Sequence, residues 1–244
     1  VVAIILCCCI MLFLNRYRSA MVQSARTSSA QAVSQVSNTV GNYLRDMEQA
    51  MDLVEQSMQE SEDSRNELLS AFLRFRPDVV AVTTYSPSGV LLDCWSLGRQ
   101  PREEIFENLS FSIERARSSS SAYMTAPHVE SIFEGYYPWV VTMTAPLSPG
   151  GRAAWASLDL SFSRISSYIN NVSIGQRGYC FLVDNNGNIV YHPQQQLLYS
   201  GLKSENTQVL AQLEDNVYVD DTVIYCVTSV EGSDWRVVGV SYVD

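Results

Sequence analysis

Residues 178–193 read "GYCFLVDNNGNIVYHP", and this stretch decides the fold. Five apolar or aromatic residues, Tyr179 to Val183, run between Gly178 and the polar set Asp184-Asn185-Asn186-Gly187. A short apolar run bounded by turn residues is a buried strand. Asn and Gly tolerate the positive φ of a tight hairpin, so the polar set is a turn and Ile189–Tyr191 is the returning strand. His192-Pro193 closes that strand. His192 has no second His, Cys or paired carboxylate beside it in sequence. It is therefore not read as a metal ligand, and a structural role leads over a ligand or pH-sensing one.

The same pattern occurs earlier in the chain. With Gly89 set on Gly187, an offset of 98, Tyr85-Ser86-Pro87-Ser88-Gly89 falls on Val183-Asp184-Asn185-Asn186-Gly187, and Leu91-Leu92 falls on Ile189-Val190. The closing strands also correspond, "AAWASLDL" from Ala153 and "WRVVGVSYV" from Trp235. An internal repeat of this length means two copies of one α+β unit, each an antiparallel sheet flanked by helices. In the first copy, residues 79–95 form a strand, a Ser-Pro-Ser-Gly turn and a strand. Residues 101–118 are expected to be helical, with Ile105, Leu109, Ile113 and Ala116 on one face. "AYMTAPHVE", "YYPWVVTMTAPL" and "AAWASLDLS" supply three more strands, and residues 161–171 a connecting helix.

Upstream, residues 15–75 contain no Pro and a single Gly, Gly41. Val33, Val36, Val40, Tyr43, Met47, Ala50 and Val54 recur at spacings of three and four, a heptad-like stripe. One long helix is expected, ended by Arg76-Pro77 because proline disfavours helical geometry in the residue before it. Its stripe suits pairing across a dimer, packing on the chain's own sheets, or both. The first 14 residues, "VVAIILCCCIMLFL", are apolar and uncharged. A membrane span takes about 20 such residues, so the expectation is a sequence that begins inside a span. The resulting map is a partial span at 1–14, a membrane-emergent helix at 15–75, one module at 76–162 and a second at 163–244.

The totals exclude several functions. A net charge of −10 with one lysine, Lys203, argues against nucleic acid, which needs dense Lys and Arg. The acidic remainder places residues 19–244 outside the cell, although Arg16 and Arg18 directly follow the span. No Gly-rich phosphate loop, G-x-S-x-G or H-E-x-x-H occurs, so neither catalysis nor a cofactor is expected. Cys94, Cys180 and Cys226 sit in apolar runs with no CxxC, so buried free thiols lead and a Cys180–Cys226 disulfide stays open.

With a long emergent helix followed by two such modules, the chain resembles the double Cache sensor family, whose modules are PAS-like. "GYCFLVDNNGNIVYHP", "QQQLLYSGLKSEN" and "SDWRVVGVSYV" are similar to the ectodomains of Gram-positive-type sensor histidine kinases in particular. The resemblance implies a membrane-anchored, dimeric receptor whose small-molecule ligand sits in the membrane-distal module. Chemoreceptors and cyclic-di-GMP enzymes carry the same ectodomains. It also puts His128 and Glu130, in "APHVE", where amino-acid-binding members have a tyrosine and an aspartate. Asp159 stands where they hold the ligand ammonium. The Arg-x-Trp-Tyr segment that grips the ligand carboxylate is missing: residues 102–117 hold no Trp or Tyr.

The residues themselves point to the same place. Tyr123, Phe133, Tyr136, Tyr137 and Trp139 crowd around His128, Glu130 and Asp159 in sequence, with Tyr85 and Thr142 on the neighbouring strands. Aromatic walls with a few convergent polar groups suit a small molecule, and two carboxylates suit a cation. The alternative is that Tyr136–Trp139 is an exposed tip contacting a dimer mate or a partner such as a solute-binding protein. Strand alternation puts Tyr137 and Trp139 on one face and Tyr136 on the other.

Overall fold

The computed structural model describes residues 2–102, 122–174, 177–220 and 222–243. The predicted helix at 101–118 lies, beyond Arg102, outside the described residues. The chain divides into two compact units, Asn42–Ser167 and, together, Val1–Gly41 with Tyr168–Asp244.

Helix α1 spans Val2–Ser57 and α2 spans Glu62–Phe75. The single helix expected over 15–75 is thus broken at 58–61. Ser61 accepts a hydrogen bond from the Ser64 N–H, and Glu62 and Asp63 occupy the first turn of α2. A side-chain cap followed by acidic residues is a helix start. Arg65 closes the end of α1 by donating from Nε to Ser57 O and from Nη2 to Glu60 O.

In the Asn42–Ser167 unit, the strands are β1 (Val79–Tyr85), β2 (Leu91–Trp95), β3 (Tyr123–Met124), β4 (His128–Val129), β5 (Trp139–Pro146) and β6 (Trp155–Ser161). They form one antiparallel sheet in the order β2-β1-β6-β5-β3, with β4 also paired to β5. The expected strand "AYMTAPHVE" is therefore two short strands, parted where Ala126-Pro127 removes a backbone donor. Register sets the faces. Val82, Leu158 and Met143 lie in one row, with Leu160 and Val141 in the next on the same side. This apolar face is fully buried, as are Leu44, Met47 and Val54 of α1 and Leu69 and Leu73 of α2. Helix α2 lies against β1 and β2. The opposite face carries Thr83, Ser157 and Thr144 in one row and Asp159 with Thr142 in the next.

Helix α3 (Phe162–Asn170) leads to the second sheet, built from β7 (Tyr179–Asp184), β8 (Ile189–Tyr191), β9 (Asn216–Asp220), β10 (Val223–Ser229) and β11 (Trp235–Tyr242), with short helices α4 (Gln195–Tyr199) and α5 (Thr207–Leu210). The order is β8-β7-β11-β10-β9. Tyr179, Phe181, Val183, Val227, Val238 and Val240 form its core with Leu210 and Ala211. The two hairpin glycines aligned in the sequence repeat adopt the same left-handed geometry, φ 91° at Gly89 and 80° at Gly187. In the second hairpin Asp184 Oδ1 accepts from the N–H groups of Asn186 and Asn188.

The other face of this sheet meets α1. Ser29 and Ser241 hydroxyls are 2.8 Å apart, and Ser37 Oγ donates to Ser229 O. A Cβ on Gly239 would stand 2.3 Å from Val33 Cγ2, so the helix approaches as closely as it does only because residue 239 has no side chain. The heptad-like stripe is accordingly buried within the chain: Val33, Val36, Val40, Met47 and Val54 have no exposed surface.

Cys180 and Cys226 both pair with Gly239, one on each side of β11. Two strand spacings separate them by roughly 9–10 Å, beyond the reach of a disulfide. The pairing left open in the sequence is therefore ruled out by register, and both thiols are free and buried. Burial pushes Cys180 up to about 12 and Cys226 up to about 11.

His192 is buried between the rings of Tyr179 and Phe181, with centroids at 5.2 and 5.0 Å. Its Nδ1 accepts from the Gln194 N–H, so the proton sits on Nε2, 3.6 Å from Glu205 Oε1. Glu205 also takes the Tyr179 hydroxyl at 2.6 Å and Lys203 Nζ at 3.4 Å. Burial opposes its charge, but His192, Tyr179 and Lys203 outweigh burial and hold it below the usual carboxylate range. The lone histidine thus belongs to a closed polar cluster that ties the loop after β8 onto the sheet.

Candidate functional site

The polar face of the first sheet is the unusual feature. An antiparallel sheet ordinarily has one face in the core and one in water. Here the polar face is shut from water as well: Thr83 and Ser157 are 0% exposed, Thr144 1%, Asp159 3% and Thr142 4%. Buried hydroxyls and carboxyls are unfavourable unless they are paired. Most are. Thr144 Oγ1 and Ser157 Oγ lie 2.8 Å apart, and Thr83 Oγ1 donates to the Tyr85 hydroxyl at 3.3 Å.

Asp159 is the exception. Thr142 Oγ1 donates to its Oδ1 at 2.6 Å, while Oδ2 meets no well-aligned donor. Its neighbour is the Glu130 carboxyl, close enough to act on it both as a like charge and as a hydrogen-bond partner. Glu130 is itself buried, its Oε1 accepting from the N–H groups of Ser131 and Ile132 at 2.6 and 2.8 Å. Among the described residues, no arginine or lysine forms an ion pair with either carboxyl. Burial first, then the charge of Glu130, pushes Asp159 up to about 8. The same two carboxyls add to burial in raising Tyr85 far above its ordinary value and Cys94 up to about 12.

His128 stands on β4 opposite Val140, which puts it on the Thr142 side of the sheet. Its Nδ1 lies 3.0 Å from Ala126 O, and its Nε2 3.4 Å from Thr142 Oγ1. Asp159, Glu130, Thr142, His128 and Tyr85 are therefore brought together. Tyr123, on β3 opposite Thr144, is half-buried at the rim of the same face.

Two predicted residues are elsewhere. Trp139 shares parity with Val141 and Met143, so it turns to the side away from Thr142, and it is 54% exposed. Tyr137 is 55% exposed, its ring 5.4 Å from the Arg102 guanidinium. Tyr136 points inward onto the Phe133 cluster, with Arg99 3.5 Å from its ring, as the alternation of the sequence indicated. Conversely, Thr83, Thr144, Ser157 and Cys94 line the polar face but were not singled out. Their signal was present: hydroxyl or acid at every second position in "TMT" and "SLD", facing one side of predicted strands.

A model of the Cache domain, in its double form, matches residues 17–244. The chain belongs to the double Cache family. Its long helix and two antiparallel sheets are that family's fold, and the sensor reading rests on that membership. In sequence, the double Cache chain is 30% identical over 88 residues to the methyl-accepting chemotaxis protein PctB of Pseudomonas aeruginosa. That match covers 36% of this chain and 14% of PctB, so the chain spans about one-seventh of that relative. In structure it resembles the ligand-binding domain of the P. aeruginosa amino-acid chemoreceptor PctC in complex with GABA, with a TM-score of 0.64 at 18% identity, covering 88% of this chain and 99% of that one. It also resembles the extracellular domain of the candidate histidine kinase vpHK1S-Z8, with a TM-score of 0.65 at 14% identity, covering 92% and 93%. At these identities the structural likeness is one of fold.

Helix α1 is long and apolar enough near the N-terminus to cross a membrane, and Ile4, Ile5, Leu6, Ile10 and Leu12–Leu14 are exposed on it. Among the described residues, no group of three or more His, Cys, Asp or Glu side chains is arranged to hold a metal.

Proposed function

We propose that this double Cache chain is the extracytoplasmic sensor of a membrane-anchored receptor, and that a small solute carrying an ammonium group binds at Asp159 and Glu130. The observation that carries the reading is a polar sheet face closed to water with a carboxyl pair that no cation of the described residues neutralises. A bound ammonium supplies the missing positive charge and the N–H donors. Residues 76–162 act as the membrane-distal, ligand-binding module and residues 163–244 as the membrane-proximal one. The second sheet supports that division of labour, because its corresponding face is filled by Tyr179, Phe181, Val183, Val238 and Val240.

Signalling follows from differential affinity for two arrangements of the receptor, read by a cytoplasmic effector. A histidine kinase is the effector favoured by the sequence resemblance, and a chemoreceptor signalling domain is favoured by the similarity to PctB. The receptor works as a homodimer, whose contact lies outside the heptad-like stripe because that stripe is buried within the chain.

A second reading rests on Val129, Tyr137 and Trp139, exposed at 44, 55 and 54%. These form a docking patch for a protein such as a solute-binding protein. A thermal-shift screen of the chain in detergent against amines, amino acids, carboxylates and sugars separates the two. Stabilisation by ammonium solutes, lost in Asp159→Asn, supports the first. Silence across the panel overturns it in favour of the second.

A further inference from the structure

We infer that ligand-free Asp159 and Glu130 share one buried proton, and that the site takes its ligand by exchanging that proton for an ammonium group. The inference rests on the ammonium-site reading above and specifies how the site is regulated.

The geometry leaves few alternatives. Two carboxyls side by side away from water do not both carry charge without a cation. The Glu130 oxygen Oε1 is committed to the backbone N–H groups of Ser131 and Ile132. Asp159 Oδ1 is committed to Thr142, so Oδ2 is the oxygen left without a donor. A proton on Oδ2 provides the hydrogen bond that this buried oxygen otherwise lacks.

The surrounding groups do not replace it. From β1 and β2 the pair is faced by Tyr85 and Cys94, both raised by burial and by the pair itself and therefore neutral near pH 7. From β4, the His128 Nδ1 is held at Ala126 O, while its Nε2 reaches only Thr142 Oγ1. Among the described residues, no titratable or charged group other than Glu130 acts on Asp159. When an ammonium enters, its N–H groups donate to both carboxylates, the Asp159 O–H bond breaks, and the proton passes to bulk water. The charge of the site is the same before and after, so no net charge is buried by binding.

The test uses the whole chain in dodecyl maltoside, with methylammonium, ethanolamine and putrescine as probes. Infrared spectra at pH 7 are expected to show the carbonyl stretch of a protonated carboxylic acid. The band should disappear as the pH rises through about 8 and be absent in Asp159→Asn. A bound probe should abolish the band. Calorimetry in buffers of different ionisation enthalpy should count about one proton released per probe, with affinity falling about tenfold per pH unit below that midpoint. A bound probe that releases no proton, or a wild-type chain without the band, overturns the exchange alone. A band with no probe binding overturns the exchange and the ammonium reading together.

Discussion

Thr142 and Asp159 stand directly opposite each other on β5 and β6, and the Thr142 hydroxyl donates to Asp159 Oδ1 at 2.6 Å. The bond is buried and involves a carboxyl that is otherwise short of donors. Thr142→Val keeps the shape and removes the donor. Leaving a buried acceptor unsatisfied costs about 1–3 kcal/mol, so denaturant unfolding should show a loss in that range. Thr142→Ser, which keeps a hydroxyl, should recover most of it.

Asp159 makes stability depend on pH in an unusual direction. Its value is raised in the folded protein, to about 8, from about 3.9 in the unfolded chain. The folded state then holds the proton more tightly, so this group's contribution is fully present below about pH 4 and is lost as pH rises towards 8. The slope approaches 1.4 kcal/mol per pH unit at most. Asp159→Asn cannot titrate and should flatten the decline of the melting temperature over that interval. Wild-type and Asp159→Asn curves that run parallel from pH 5 to pH 8 would show that Asp159 does not titrate in that interval.

Gly239 sets how closely α1 lies on the second sheet. Gly239→Ala places a methyl 2.3 Å from Val33 Cγ2, so the helix must move or Val33 must be displaced. Overpacking of this kind costs about 1–3 kcal/mol. The double variant Gly239→Ala, Val33→Ala should recover part of the loss, which thermal denaturation of the three chains would show.

His192 fills a slot between Tyr179 and Phe181 and accepts the Gln194 N–H. His192→Ala removes both the packing and an acceptor, for a loss of roughly 3–5 kcal/mol by analogy with large-to-small core changes. The effect on ligand binding should be confined to stability, with unchanged affinity at temperatures where the variant is folded.

Much of this fold was legible in the sequence because it is written in local signals. The Asp-Asn-Asn-Gly turn and its counterpart at Gly89 fixed two hairpins, and their spacing revealed the repeat. Helix α1 was legible up to its end, where the Ser61 cap and the acids after it were passed over for want of a Gly or Pro. Free thiols at Cys180 and Cys226 led in the sequence because they sit in apolar runs, but the disulfide could be excluded only once β11 was seen to lie between them. In the site, His128, Glu130 and Asp159 were found because the family resemblance sets them at its ligand positions, and Thr142 because it lies on a neighbouring strand. Trp139 was misplaced for the complementary reason: its parity puts it on the other face. The isolation of Asp159 Oδ2 is a tertiary fact that no spacing encodes.

The most direct test of the central claim is calorimetric titration of ethanolamine and putrescine into the wild-type chain and into Asp159→Asn at pH 8. Saturable binding to the wild type, weakened at least tenfold in the variant while its melting transition stays cooperative, is the result this account predicts. Equal affinity in the two chains would place the ligand away from Asp159 and contradict it.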